Sequence, residues 1–263
     1  MQRLSLAIAD LRKAGRQYRV WLHLGLLEVK QRYRRSVLGP WWISISMLIF
    51  ILAMSVVFSR LFSQSLAEYI PFFTAGFLLW SFISTSINES TELFKMHSGF
   101  IKQINLPYSL YALKFFTRNV IILAHNFAVY FLIMIFFQLN PGWTGLLAIP
   151  GLALLFINTY WICLAVAIIS TRFRDMVPIV NSCIQMLFFI TPISWMPKLI
   201  GESSIIIKLN PFVYFLEAVR QPLLGISPPL SVWAINTCIA TAGLWLTLRL
   251  FGSVRTRIAF WVD

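Results

Sequence analysis

The chain has 263 residues, 59% of them hydrophobic and only 12% charged, and a formal net charge of +13. That balance is too apolar for an ordinary soluble domain, and the apolar runs are too long for a water-soluble core. The sequence predicts an all-α integral membrane protein, its positive charge directed at anionic headgroups rather than nucleic acid.

Residues 1–38 carry nine of the twenty-two Lys and Arg. Leu4, Ile8 and Leu11 fall at helical spacing, as do Val20, Leu24 and Leu27, with cations between and after them. This pattern predicts one or two amphipathic helices on the cytoplasmic surface; a solvated basic tail is the plainer alternative. The stretch is too basic and amphipathic for a cleavable signal peptide, so insertion is expected to rely on the first span. Lys30, Arg32, Arg34 and Arg35 crowd one side of Gly39-Pro40, which breaks the helix, and an uncharged aromatic-rich run opens on the other.

Six segments are long enough to span, at roughly twenty residues for a ~30 Å hydrocarbon core: 41–61, 69–87, 111–137, 145–170, 177–194 and 230–250. Trp41, Trp42, Trp80, Trp143, Trp195 and Trp233 fall near their ends, as interfacial aromatics do. With both termini inside, 18 basic residues lie on the cytoplasmic side and 4 outside. The inside-positive bias thus predicts cytoplasmic termini and an even number of spans.

Two connections are long. In 88–110, Ser86-x-x-Glu89 has the form of a capping box, and Leu93, Phe94 and Met96 precede a Ser98-Gly99 stop. Phe100, Ile101, Ile104 and Leu106 then bring apolar side chains to the cytoplasm. Either a short helix docks into a partner's groove or the loop folds back on its own helices. In 195–229, Asn210-Pro211 supplies an N-cap followed by proline, and Gly225 with Pro228-Pro229 ends the segment. One or two short helices that enter the outer leaflet without crossing are expected, with Glu217 and Arg220 paired three residues apart.

Nucleotide-loop and metal-type signatures are missing, so neither cofactor nor metal is expected in this chain. None of the nine acidic residues falls mid-membrane, and a proton-coupled carrier lacks its relay. His125, Asn126, Asn158, Asn181 and Gln185 are polar groups within spans, read as interhelical hydrogen-bonding residues rather than catalytic ones. Cys163, Cys183 and Cys238 lie singly in apolar segments and read as packing residues. Aromatics are the positive signal, at 16% of the chain. Phe72, Phe73, Phe77 and Trp80 crowd the second span and Phe188 and Phe189 the fifth; with Trp41 and Trp42 they are candidate walls for a sugar polymer, against plain packing.

The string Glu28-x-Lys-x-Arg-Tyr-Arg-Arg-Ser-Val-Leu-Gly-Pro-Trp-Trp resembles the opening of the polysaccharide-exporting ABC-2 permeases, nearest to the O-antigen branch. Phe100-Ile-Lys-Gln-Ile-Asn-Leu-Pro107 and Leu209-Asn-Pro-Phe-Val-Tyr-Phe-Leu-Glu-Ala-Val-Arg-Gln-Pro-Leu-Leu-Gly225 extend the likeness over essentially the whole chain. The resemblance implies an inner-membrane homodimer of six-helix subunits, docked to two copies of an ATPase that holds ATP and Mg, moving a lipid-linked glycan outward. It divides the chain into an interface segment (1–38), a membrane domain (39–250) and a cytoplasmic tail (251–263). Leu93, Phe94, Met96, Phe100, Ile101, Lys102, Leu106 and Pro107 would form the coupling element, within 88–107. Asn210, Pro211, Tyr214, Glu217 and Arg220 would mark the external re-entrant loop. By charge, Arg32, Arg34 and Arg35 would attract a lipid pyrophosphate; anchoring to anionic lipid is the other reading. Export of capsule, teichoic acid, small lipids or drugs remains an alternative, as does an intramembrane enzyme on lipid-linked sugars using His125 or Glu217.

Overall fold

The computed structural model describes residues 2–32, 34, 38–39, 41–199, 201 and 204–262. In chain order its helices are α1 (Gln2–Arg16), α2 (Tyr18–Arg32), α3 (Trp41–Leu61), α4 (Leu66–Ser90), α5 (Leu93–Met96), α6 (Ser98–Gln103), α7 (Tyr108–Phe136), α8 (Ala148–Arg172), α9 (Met176–Ile190), α10 (Ile205–Leu209), α11 (Pro211–Leu223), α12 (Leu230–Val254) and α13 (Ile258–Trp261). Among the described residues all regular structure is helical. This is an all-α, multi-pass membrane protein.

Five of these helices are long and apolar enough to cross a bilayer: α3, α4, α7, α8 with the turn Gly142–Leu147 before it, and α12 with its extension to Trp261. The fifth expected span is shorter than 177–194. It is α9, fifteen residues long, or about 22 Å at ~1.5 Å per residue against a ~30 Å core. Thr191, Pro192, Ile193 and Ser194 continue it as buried, non-helical chain inside the protein. The six-span count therefore rests on how α9 and that chain cross together.

Helix α4 is the axis of the bundle, with fifteen of its twenty-five residues buried. It packs against α3, α7, α8, α9 and α11. By contrast α3 buries only five of twenty-one residues and leaves Ile49, Leu52, Val56 and Val57 outward, the pattern of a lipid-facing helix. Close helix approach depends on two glycines. A Cβ at Gly151 would stand 2.1 Å from the Ala218 carbonyl oxygen, and one at Gly243 would stand 2.2 Å from the Trp161 ring. Only glycine lets α8 lie this close to α11 and α12.

The two N-terminal helices differ from the expected surface pair in what they dock with. The packed face of α1 is Ala7, Asp10 and Ala14, against α7 and α12. Helix α2 buries Gly25 and Val29 against α7. Of the apolar stripes read from the sequence, Ile8, Val20 and Leu24 face outward, while Leu4, Leu11 and Leu27 are half-buried. Small residues give close docking on one side while larger apolar ones remain free for lipid on the other. Helices α1 and α2 are therefore anchored on the bundle and not only laid on a surface.

Two local expectations are overturned. Ser86-x-x-Glu89 does not start a helix, because α4 runs unbroken to Ser90 and Ser86 accepts a hydrogen bond from Asn119 on α7 (3.2 Å). Ser98-Gly99 does not stop one either; it opens α6. Gly39 takes a left-handed φ of +56° immediately before α3, while its neighbour Pro40 lies outside the described residues.

Candidate functional site

The ends of α2, α4 and α7 meet at the face of the bundle that carries α5 and α6. There five side chains form one charged network. Arg118 of α7 donates to Glu28 of α2 at 3.1 Å and to Glu89 of α4. Lys114, one turn before Arg118, bridges Glu28 at 3.3 Å and the Nε2 of His97 at 3.1 Å. Since an ammonium only donates, Nε2 must accept and Nδ1 carries the proton, which it gives to the Leu93 carbonyl (2.8 Å). Burial, with Lys114 and Arg118 beside the ring, holds His97 below its ordinary pKa and therefore neutral near pH 7. Two carboxylates then balance two cations, as partly buried charge requires. The sequence reading uses Lys114 and Arg118 only as orientation charges. Their i,i+4 spacing at a span's first turns, with Glu28 and Glu89 at other helix ends, is the signal it leaves unused.

His97 is the joint between α5 and α6, so this network holds the connection expected to meet a partner. The predicted coupling residues divide sharply. Leu93 and Phe94 are buried and anchor α5 against α7 and α8, which corrects their placement on a docking surface. Pro107 is buried as well, Ile101 and Leu106 are half-buried, and Lys102 is exposed. Met96 at 68% exposure and Phe100 at 59%, with Ile104 beyond them, face outward. An anchored base with an apolar tip suits a lever that transmits force.

The network also lies at the foot of a groove. Helices α4 and α9 run side by side, and Ser84 and Asn88 of α4 face Asn181, Gln185 and Phe188 of α9. A cavity of about 470 Å³ at the charged end includes Glu89, Asn88 and Asn181; a second of about 500 Å³ continues past Asn88 to Trp80, Phe188 and Phe189. Asn181 and Gln185 make no hydrogen bond among the described residues, so their reading as interhelical ties is corrected: their amides are open to the groove. Asn158 does tie helices together, donating to Asn236 of α12 at 2.6 Å. His125 bonds its own helix, through the Ile121 carbonyl.

A profile of the family described as ABC-2 type transporter matches residues 20–224. The chain belongs to that family. It is 22% identical over 253 residues to the O-antigen export system permease protein RfbA of Myxococcus xanthus, covering 92% of this chain and 95% of that one. It is 24% identical over 196 residues to the RfbA permease of Klebsiella pneumoniae, covering 74% of this chain and 76% of its relative.

In this ABC-2 transporter the expected channel aromatics separate. Phe73, 1% exposed, is enclosed in the bundle and does not face a groove in this conformation. Trp80, 4% exposed, lines the upper cavity beside Phe188, 6.2 Å away between ring centres. Phe189 is 70% exposed, Trp41 and Trp42 are exposed, and Phe77 stacks on Phe50 at 4.7 Å. Phe72 lies under the Arg220 guanidinium at 4.1 Å, a cation–π contact that occupies its face.

Arg220 is 1% exposed, pairs with Glu217 as its spacing predicts, and donates to the Pro192 carbonyl at 2.5 Å. Asn210 caps α11 through the Phe212 amide (3.0 Å) and donates to Thr191 (2.8 Å). Tyr69 donates to the Ser194 carbonyl (2.5 Å), and Tyr214, at the surface, to that of Lys208 (2.9 Å). Ten of the thirteen residues of α11, beginning at Pro211, are buried. This short helix is thus shielded by protein, and it holds the chain after α9 in place. Of the basic entry residues, Arg32 and Arg34 are exposed at the end of α2; Arg35 lies outside the described residues.

Proposed function

We propose that this chain is the channel-forming membrane subunit of an ATP-driven exporter of a lipid-linked polysaccharide, of the kind its relatives' names describe. The observation that carries this reading is the α4–α9 groove. It joins a charged foot, unpaired amides and aromatic rings in one path, and offers hydrogen bonds and apolar contact without gripping a single sugar. Its outer side is open along α9, at Met186 and Phe189, so a second copy is needed to close it. The inside-positive count supports six crossings with both termini in the cytoplasm of a bacterial inner membrane. The Met96–Phe100 tip would then face two copies of an ATPase that brings ATP and Mg. Closure of that partner would tilt α5 and α6 about His97 and move the feet of α4 and α7.

The test is co-expression with an ATPase subunit that restores glycan export in a strain lacking both. Met96→Asp with Phe100→Asp should abolish co-purification of the ATPase and export while leaving membrane insertion unchanged. Intact assembly would sink the lever assignment. Accumulation of cytoplasmic lipid-linked polymer in the deletion strain would support a polysaccharide cargo, and its absence would favour a small lipid or drug.

A further inference from the structure

The outward face of α12 carries a cation that the bundle leaves without an acceptor. Arg249 is exposed, and its guanidinium lies over the Trp245 ring, 3.8 Å from the ring centre. Among the described residues this is its one interaction, and a ring contact leaves the five N–H donors without an oxygen to receive them. Trp245 is 46% exposed and Leu246 59%, so no other helix of the chain covers this face. Above Trp245 the same face is lined by the small side chains of Ala242, Thr241 and Cys238. The Thr241 hydroxyl is bonded to the Thr237 and Cys238 carbonyls (2.9 and 3.0 Å), which leaves its methyl group outward in an apolar strip. From Arg249 to Cys238 the strip runs about 16 Å at ~1.5 Å per residue, the share of one leaflet in a ~30 Å core.

The depth of Arg249 makes its free donors costly. Helix α12 starts at Leu230, and Arg249 lies about 28 Å further on at ~1.5 Å per residue, against a ~30 Å hydrocarbon core. The guanidinium therefore stands at the edge of the core, on the side where α13 meets α6. Helix side chains lean towards the helix N-terminus, and Arg249 is folded back along Trp245 into the bilayer rather than out to water. A lipid-facing cation there needs an acceptor brought by the membrane. The chain has none to give. At that end of the bundle Asp10, Glu28 and Glu89 are taken by Arg255, Lys114 and Arg118, and Glu92 and Asp175 lie in the connections beyond the long helices. A second copy laid on this face would bring the same occupied carboxylates.

We propose that Arg249 and Trp245 bind an anionic phospholipid of the inner leaflet, its phosphodiester held by the guanidinium and one acyl chain laid over Trp245, Leu246 and Ala242. A phosphate presents two oxygens to the planar fork and a negative charge to the cation. Phosphatidylglycerol keeps that charge, whereas phosphatidylcholine adds an ammonium that opposes it. Arg255, six residues further on, ties α12 to Asp10 of α1, so the lipid holds the helix next to the point where α1 is fastened. The leaflet takes the orientation proposed above, and the site is independent of what is exported.

The test uses the full chain in phosphatidylcholine nanodiscs, with dibrominated phosphatidylglycerol or dibrominated phosphatidylcholine added at the same small mole fraction. Bromine quenches indole fluorescence on contact, and the difference between each chain and its Trp245→Phe counterpart isolates Trp245. Its quenching should show about a fivefold preference for phosphatidylglycerol, as one cation near an anionic headgroup gives. Arg249→Gln should remove the preference. Arg257→Gln, the same change of charge beyond the span, should leave it. If Arg249→Gln fails to fold, Arg249→Lys, which keeps the charge without the planar fork, should lower the preference. Equal quenching by the two lipids overturns the site. So does a preference that survives Arg249→Gln, stays undiminished in Arg249→Lys, or is lost equally in Arg257→Gln. Trp245 that neither lipid quenches would place a second copy on this face and overturn the lipid site as well.

Discussion

Asp10 of α1 accepts a hydrogen bond from the Ser109 backbone amide of α7 at 2.9 Å, ninety-nine residues away in the chain. Its second oxygen takes the Tyr108 amide at 3.3 Å and the Arg255 guanidinium at 2.6 Å. Pro107, at the N-cap position, makes no side-chain bond that would satisfy these amides. The N-terminal helix therefore caps a spanning helix in trans and fastens the C-terminal end to the same point. Asp10→Ala should destabilise the protein by about 2–4 kcal/mol, through a lost cap and an unpaired guanidinium. Asp10→Asn keeps a capping oxygen and should lose about half as much. Thermal unfolding in detergent reads both, and equal losses would show that the charge and not the cap is what matters.

The second prediction concerns Arg118, which balances Glu28 and Glu89 together. Among the described residues its removal leaves Lys114 as the partner of Glu28 and none for Glu89. Arg118→Ala should cost about 1–3 kcal/mol, less than the breaking of a fully buried pair because Glu28 and Glu89 keep some solvent. Adding Glu89→Gln should recover part of that loss, because one stranded charge disappears. A double-mutant cycle on the melting transition measures the coupling; strict additivity would mean that the two residues do not share a network.

His97 makes the α5–α6 joint sensitive to pH. Its folded pKa lies below the ordinary histidine value, mainly through burial, so the folded state binds fewer protons than the unfolded one. The sign follows from linkage: stability is full above about pH 6.5 and is lost as pH falls towards the lowered value. A protonated ring would also face the Lys114 ammonium and the Arg118 guanidinium from α7, with Glu28 and Glu89 the carboxylates set against them. Stability should fall between pH 7 and pH 5, and on the proposed exporter reading ATPase coupling should fall with it. His97→Gln should flatten that profile, and a profile unchanged by the substitution would assign the fall to other groups.

These relationships also mark where the sequence stops being legible. Membrane class, the long apolar helices other than α9, the α11 cap at Asn210 and the Glu217–Arg220 pair could be read directly, because each depends on neighbours in the chain. The network of Glu28, Glu89, His97, Lys114 and Arg118 could not, since it joins four separate elements and each charge has an ordinary local explanation. Aromatic crowding on α4 pointed to the right helix but not to the right faces: Phe73 and Trp80 differ by seven residues, yet only Trp80 reaches a cavity. The sequence reading gave α9 eighteen residues of apolar length. Pro192 ends the helical part and Arg220 holds the chain that follows, a constraint set by α11 and invisible to local periodicity.

The last prediction uses the tightest approach in the bundle. Gly151 of α8 sits against the backbone of α11, and the group a Cβ would meet is the Ala218 carbonyl rather than a flexible side chain. Helix α11 cannot retreat easily, because Arg220 ties it to the chain after α9 and Tyr214's carbonyl ties it to Asn236 of α12 (3.1 Å). Gly151→Ala should therefore destabilise by at least the ~1–3 kcal/mol of ordinary overpacking. Gly15 of α1 meets nothing within 4 Å, and Gly15→Ala should stabilise its helix by about 0.5–1 kcal/mol. If α11 positions the exit as well as the core, Gly151→Ala should reduce export beyond its effect on protein level, whereas Gly15→Ala should leave export per molecule unchanged. Equal export per molecule in both variants would restrict α11 to a structural role.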